Sequence, residues 1–266
     1  MQDAKSDWFD CGVNLFSLQF AGIEQQIWQR AQQAGVSNLL LIGSDITESR
    51  QNQQFCLNHP GCFTTAGVHP HQAAGVAADW LDSLSQLLTL PTVVAVGECG
   101  LDFNRDFSPR PVQQHIFASQ LQLAKQWQKP VYLHERDAFA TQLAMLTEQQ
   151  INHGVAHCFT GDTGQLAAYL DLGLYIGITG WICDERRGQS LQQAIRYLPL
   201  DRILLETDAP YLLPRTIKPR PKYNEPALLP AIGAEICRLK QIDSEQLAAA
   251  CTANARRLFC LTGKMA

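Results

Sequence analysis

The nine cysteines of this 266-residue chain include no Cys-x-x-Cys pair and no pair at zinc-ribbon spacing. Their number is odd, which also argues against a complete disulfide framework. We therefore expect reduced and mostly buried thiols. Cys99 and Cys158 directly follow Glu98 and His157, so strand alternation would point both thiols away from those side chains, and we assign them to packing.

The sequence also lacks a membrane segment. No uninterrupted apolar run approaches the roughly 18 residues that suggest a spanning helix. The opening residues, MQDAKSDWFD, do not have the basic-then-apolar pattern of a signal peptide. We expect a soluble, cytoplasmic protein that has no membrane partner.

Positive charge is not in excess either. The chain has 21 lysines and arginines against 25 aspartates and glutamates, a net charge of −4. This balance argues against a surface coated in basic charge for duplex nucleic acid, so any nucleic-acid contact must be local. With 46% hydrophobic residues, 17% charged residues and no internal repeat, the composition is that of a globular chain.

What the sequence does have is an alternation of strand and helix patterns, which is typical of repeated βα units on a parallel sheet. At 266 residues the chain has the usual size of one α/β barrel, on the order of 250 residues. We predict an α/β fold, a TIM (β/α)8 barrel, as one domain over residues 1–266, with two short helices over residues 243–259. The eight strands are predicted to start at Trp8, Asn38, Cys62, Thr92, Pro130, Gly154, Gly173 and Arg202.

Four predicted strands end on a side chain that binds metal ions or moves protons. These are Glu98 in VAVGECGLD, His134 in VYLHERD, His157 in VAHCFTG and Asp208 in ILLETDAP. Each has a structural explanation when taken alone, such as an ion pair between Glu98 and Arg136. Strand ends converge in a closed barrel, however, so the four together indicate one metal site. Asp208 is a candidate to ligate the metal, to orient a water or to accept its proton.

The third predicted strand ends in GVHPH, which holds His69 and His71. His69 is the better candidate to stabilise a phosphate or protonate a leaving oxygen. Basic and aromatic residues in the later loops form a candidate surface for single strands, on which cations follow the backbone and aromatic rings stack on bases. The residues predicted to contact nucleic acid are His71, Arg105, Trp181, Tyr211, Arg215 and Arg220, with Arg186, Arg187, Lys218 and Lys222 nearby in the chain.

GVHPH, VGECGLDFNR, LH-x-RDA, HCFTG, GITGWICDERRG and LLETDAPYLLPR together resemble the TatD family of metal-dependent deoxyribonucleases. The resemblance extends over essentially the whole chain. It implies a TIM barrel of the amidohydrolase type. It also implies that His69 is the histidine that handles phosphate, and that the metal positions are Glu98, His134, His157 and Asp208.

The first strand departs from the family pattern, which usually reads Asp-x-His-x-His. Here the stretch is Asp10-Cys11-Gly12-Val13-Asn14, so Gly12 and Asn14 stand where the two histidines would be. Glycine offers no ligand atom, and an amide oxygen is a weaker ligand than imidazole for a transition metal. Two arrangements stay open: a single ion at the other strand ends, or a second, loosely held and harder ion at Asp10 and Asn14.

The resemblance implies a divalent-metal nuclease that shortens single-stranded DNA, with RNA as a further substrate, from the 3′ end. Mg²⁺ is the expected cofactor, with Mn²⁺ and Zn²⁺ as alternatives, and nucleic-acid ends are the expected partners of a monomer. The family is associated with DNA repair. Two other classes stay open: a metal hydrolase of small esters, amides or aminoacyl groups, and a non-catalytic protein that binds nucleic-acid ends.

Overall fold

The computed structural model describes residues 7–261 of the chain. Within them, eight strands alternate with helices. The strands are β1 (Trp8–Val13), β2 (Val36–Leu41), β3 (Cys62–Ala66), β4 (Val93–Asp102), β5 (Val131–Arg136), β6 (Gly154–Ala156), β7 (Tyr175–Ile178) and β8 (Ile203–Leu205). The helices are α1 (Glu24–Gln33), α2 (Ile46–Leu57), α3 (Trp80–Leu88), α4 (Arg110–Trp127), α5 (Phe139–Glu148), α6 (Thr163–Asp171), α7 (Gln189–Ile195), α8 (Leu229–Lys240) and α9 (Ser244–Leu258).

The strands form one sheet in chain order from β1 to β8. Neighbouring strands are parallel, and a parallel bridge between Val13 and Ala209 joins the end of β1 to the residues after β8. Eight parallel strands in consecutive order, each followed by helix, define a TIM barrel. The predicted fold class is therefore confirmed. All eight predicted strands are found: β1, β3 and β6 begin at the predicted residue, and the other five begin one or two residues away from it.

The chain divides into two compact units. The first comprises the described part of Met1–Leu40 together with Cys158–Leu166 and Ile176–Arg257. The second comprises Leu41–His157, Ala167–Tyr175 and the described part of Leu258–Ala266. The single domain over residues 1–266 stays a prediction.

In the second unit, β4 is buried along its whole length between β3 and β5. Val96 of β4 lies opposite Val131 of β5, but Cys99 lies opposite Leu133, so β4 carries one extra residue between these two pairs. Such a bulge bends a strand and changes the direction of its side chains, and bulges are frequent beside active sites. The extra residue falls in the stretch that contains Glu98.

The end of the described chain differs from the prediction. Residues 243–259 contain one helix, α9 (Ser244–Leu258), in place of the two short helices expected. Asp243 caps it, because its carboxylate accepts a hydrogen bond from the backbone N–H of Gln246 at 2.6 Å. The helix continues because its sequence, SEQLAAACTANARRL, contains neither glycine nor proline to break it.

All nine cysteines lie within residues 7–261, where no disulfide joins any two of them and seven are buried. Cys99 and Cys158 are both among the buried ones. Across that same described range, no helix combines the length and the apolar character that crossing a membrane would require.

Candidate metal centre

Glu98 is the centre of a histidine cluster in the second unit. It lies on β4 in the sequence VGECG, between two glycines that bring β4 close to β5. Gly100 has φ near +142°, and a Cβ there would collide with the backbone oxygen of His134. Only glycine fits such a close approach at this φ without strain. The two glycines therefore allow the part of β4 that carries Glu98 to pack closely against β5, which carries His134.

Three imidazoles face one oxygen of Glu98. The distances to Glu98 Oε1 are 2.9 Å from His134 Nδ1, 3.6 Å from His69 Nε2 and 3.8 Å from His157 Nε2. Burial alone would raise the pKa of this carboxyl, but the three histidines outweigh it and hold the pKa well below its usual range. Glu98 is therefore ionised, and the three histidines are the partners that stabilise its charge.

Asp102 is a second carboxylate of the cluster, and sequence reasoning missed it. Its Oδ2 lies 2.7 Å from His71 Nε2 and 3.2 Å from His134 Nε2. Its Oδ1 accepts hydrogen bonds from the backbone N–H groups of Asn104 and Arg105 at 3.0 and 2.8 Å. Burial raises the pKa of Asp102, but these partners outweigh that effect and lower it well below the usual range.

His134 bridges the two carboxylates, with Nδ1 on Glu98 and Nε2 on Asp102. Burial lowers the pKa of this imidazole, but its hydrogen bonds to Asp102 and Glu98 more than compensate, and the net shift is upward. A signal for Asp102 was present in the sequence. It follows Glu98 by four residues, and residues at even spacing on a strand share a face.

His69 and His71 adopt defined ring orientations. The backbone N–H of His71 donates to Nδ1 of His69 at 3.1 Å, so the neutral His69 ring carries its proton on Nε2, the nitrogen that faces Glu98. Burial lowers the pKa of His69 to about 3, so this ring is neutral. One ring nitrogen each from His69, His71 and His134 lie within 4.8 Å of one another. The structure thus places His71, expected at a nucleic-acid surface, among possible metal ligands.

His157 is oriented by a tyrosine. Its Nδ1 is hydrogen-bonded to the Tyr132 hydroxyl at 2.7 Å, which leaves Nε2 on the side of Glu98. Tyr132 is fully buried on β5. Metal-binding histidines commonly use their second nitrogen in this way, because the outer hydrogen bond fixes the ring.

The residues predicted at the ends of β1 and β8 lie in the first unit. The Asn14 amide donates to Asp208 Oδ1 at 2.9 Å, and the Asp208 backbone N–H donates to the oxygen of Gly12 at 2.9 Å. Asp10 is completely buried and accepts hydrogen bonds from Thr207 N–H at 2.9 Å and from the Thr207 hydroxyl at 2.6 Å. Burial raises the pKa of Asp10 to about 8. A second metal site at Asp10 and Asn14 stays a prediction.

The residues predicted to contact nucleic acid divide between the units. In the first unit, Trp181, Arg215 and Arg220 line one cavity, and Tyr211 is about half exposed beside Asp208, whose backbone oxygen accepts its N–H. Arg105 is exposed in the second unit and lies near Asp102 through its backbone.

The donors around Glu98 fit a divalent cation. Imidazole nitrogens and carboxylate oxygens are the ligands that such ions take in proteins. Glu98 and Asp102 are both buried and ionised while His69 is neutral, so negative charge is concentrated in a buried space. Buried charge is costly unless it is compensated, and a bound divalent cation would compensate it here.

A parallel barrel that carries histidines and carboxylates after its strands is the arrangement of a metal-dependent hydrolase. The sequence profile described as TatD related DNase matches residues 9–260. The chain belongs to the TatD family of deoxyribonucleases, as its motifs predicted.

Individual relatives agree with this assignment. Two proteins named 3′-5′ ssDNA/RNA exonuclease TatD are each 48% identical to the chain. The one from Citrobacter rodentium aligns over 97% of this chain and 100% of its own length, and the one from Erwinia billingiae over 95% and 99%. A solved TatD homologue from Escherichia coli K12 is 30% identical, with a TM-score of 0.89 over 97% of this chain and 99% of its own. A TatD-family hydrolase from Entamoeba histolytica, 23% identical, shares the fold with a TM-score of 0.86 over 96% and 99%.

Proposed function

We propose that this protein is a divalent-metal-dependent nuclease that removes nucleotides from the 3′ end of single-stranded DNA and also acts on RNA. The observation that carries the proposal is the convergence of His69, His134 and His157 on the ionised carboxylate of Glu98. The polarity and the single-stranded substrate are supported by the names of relatives that are 48% identical over nearly their full length.

In this proposal Glu98, His134 and His157 hold the ion, which is Mg²⁺. A divalent cation bound there supplies Lewis-acid chemistry: it withdraws charge from the phosphodiester and makes water a stronger acid. Asp102 positions the ligand His134, because its Oδ2 lies 3.2 Å from His134 Nε2, and it also contacts His71. Second partners of this kind commonly orient a metal ligand and raise its basicity.

His69 contributes a hydrogen-bond donor. Its ring is neutral and its proton lies on Nε2, because Nδ1 accepts the backbone N–H of His71. A neutral imidazole aimed into the cluster is suited to donate to a phosphate oxygen on which charge develops. Its low pKa makes it a poor reservoir of a proton for the leaving group, so we assign His69 to stabilising the phosphate.

Asp208 is the residue that we propose to orient the attacking water and accept its proton, as the sequence motif implies. Asn14 supports this role, because its amide donates to Asp208 Oδ1 at 2.9 Å and fixes the carboxylate. The family's histidine at this position is therefore replaced by a residue that positions Asp208. A cytoplasmic location and a monomeric state are carried forward as predictions.

The test is degradation of single-stranded DNA labelled at one end, in parallel reactions with a 5′ label and a 3′ label. With Mg²⁺ we expect a 5′-labelled ladder that shortens progressively, while the 3′ label is released at once as a mononucleotide. Cleavage is expected to stop in EDTA and in Glu98→Gln, which removes the charge that binds the ion but keeps the side-chain size.

The matched control is Glu235→Gln on α8, where a partly buried carboxylate pairs with the exposed Arg238, and it is expected to leave cleavage unchanged. Absence of cleavage by intact protein with Mg²⁺, Mn²⁺ and Zn²⁺, together with hydrolysis of a small chromogenic ester, would replace the nuclease with a small-substrate hydrolase. Tight binding of the DNA end without turnover under the same conditions would indicate a non-catalytic binder.

A further inference from the structure

A cavity of about 210 Å³ lies in the first unit, between the end of β7 and the proline-rich stretch after β8. Three arginines, Arg187, Arg215 and Arg220, line it together with Trp181 and Asp184. We call it the arginine cavity. All of its lining residues belong to one compact unit.

The backbone around the cavity is fixed by close packing. A short 3-10 helix spans Gly180–Cys183, and a Cβ at Gly180 would collide with the backbone oxygen of Leu212, so glycine lets the two cavity walls meet. Asp184 then holds the turn that carries Arg187: its Oδ1 accepts the N–H of Arg187 at 3.2 Å, and its backbone oxygen accepts the N–H of Gly188 at 2.7 Å. These hydrogen bonds therefore fix the backbone position of Arg187.

The positive charge of the cavity is only partly compensated. Asp184 Oδ2 lies 2.9 Å from Arg215 Nε, so this carboxylate compensates Arg215. Arg187 and Arg220 have no carboxylate partner at ion-pair distance anywhere in residues 7–261. Two uncompensated guanidinium groups are thus gathered at one place in a chain whose net charge is −4. Such a local excess attracts an anion.

The shape and chemistry of the cavity indicate that the anion it attracts is a phosphate. Arginine binds phosphate through parallel hydrogen bonds that its planar fork provides. The indole of Trp181 and the side chains of Leu212 and Leu213 add apolar wall beside the arginines. A phosphate flanked by a sugar and a base matches a charged centre with an apolar side better than a free inorganic anion does.

We propose that the arginine cavity binds an internal backbone phosphate of the single-stranded substrate, upstream of the bond that is cut. Arg187 and Arg220 contact the phosphate, and Asp184 pairs with Arg215 beside them. The inference rests on the proposed nuclease function for its substrate. It adds to that function a subsite for a second backbone phosphate.

The direct test is binding of a fluorescent oligothymidylate decamer, measured by anisotropy in EDTA so that no cleavage occurs. Arg187→Ala and Arg220→Ala are each expected to weaken binding roughly tenfold and to reduce the salt dependence of log K by about 0.7 for each lost phosphate contact. Arg238→Ala, which removes an exposed arginine paired with Glu235 on α8, is the matched control and is expected to change neither quantity.

The decamer is then compared with a dinucleotide as substrates of the Mg²⁺-loaded protein. The two cavity variants are expected to raise KM for the decamer more than KM for the dinucleotide, because a dinucleotide has no backbone phosphate besides the one that is cut. Unchanged decamer affinity and salt dependence in the folded Arg187→Ala/Arg220→Ala double variant would overturn the cavity proposal. If intact protein binds the decamer through the cavity but cuts no nucleic acid, the nuclease proposal fails while the subsite stands.

Discussion

At the scale of single residues, His134 connects the two carboxylates of the cluster. Each of its ring nitrogens contacts a different buried carboxylate, Glu98 on one side and Asp102 on the other. Glu98 and His134 were identified from the sequence because each ends an apolar run. Asp102 was not, because the sequence predicts a loop that runs from Asp102 to Pro111. Its buried contacts with His71 and His134 depend on the fold.

Replacing Asp102 with Asn is expected to weaken metal binding about tenfold to a hundredfold, the usual cost of losing an outer partner of a metal ligand. The amide keeps the shape of the side chain but cannot supply negative charge to His71 and His134. Titration calorimetry with Mn²⁺ measures the effect. The matched control is Asp106→Asn, an exposed aspartate four residues further on that pairs with Arg110. Equal Mn²⁺ affinity in the Asp102→Asn and Asp106→Asn variants would show that Asp102 does not support the ligands.

At the scale of secondary structure, α4 supports the strand ends that carry the cluster. Gln113 and Gln120 are seven residues apart on its buried face. The amide of Gln120 accepts from the N–H of Val68 at 2.8 Å and donates to its oxygen at 3.0 Å, directly before His69. The amide of Gln113 makes the same pair of contacts with the backbone of Asp102, at 2.9 and 3.1 Å. Each amide thus satisfies a backbone N–H and C=O, as a neighbouring strand does elsewhere in the sheet.

Gln113→Ala and Gln120→Ala are each expected to lower the free energy of unfolding by about 1–3 kcal/mol, because each leaves a buried backbone N–H and C=O without partners. Urea unfolding followed by circular dichroism gives the value. Gln122→Ala is the control, since Gln122 is exposed on the same helix and alanine has the higher helix propensity. A buried-site variant as stable as the Gln122→Ala control would mean that the amide contacts contribute nothing.

The strands were largely predictable from the sequence. The extent of β4, its bulge and the contacts of the buried glutamines were not. Eight strands follow from the spacing of apolar runs, but β4 extends to Asp102 and contains a bulge. A bulge depends on how two strands pair, which periodicity within one strand does not report. The buried glutamines were equally hidden, because a polar residue on an amphipathic helix gives no sign of which distant backbone it meets. The single helix α9, by contrast, could have been predicted, because SEQLAAACTANARRL contains neither glycine nor proline.

At the scale of the whole molecule, the barrel and the family were predictable because their signals are spread over the chain. Strand alternation gave the fold, and six ordered motifs gave the TatD family that the sequence profile confirms over residues 9–260. The net charge of −4 restricted the predicted nucleic-acid contact to a local patch, and three arginines line the arginine cavity. The sequence did not reveal that Arg187 and Arg220 lie together without carboxylate partners among residues 7–261, because ion pairing is settled only when loops are placed.

The central claim is that the histidines around Glu98 hold the catalytic ion, and anomalous diffraction from crystals grown with Mn²⁺ tests it most directly. We predict a strong anomalous peak within coordination distance of Glu98, His134 and His157, and its loss in Glu98→Gln crystals. A peak elsewhere in the chain, or none at these three residues at saturating Mn²⁺, would contradict the assignment.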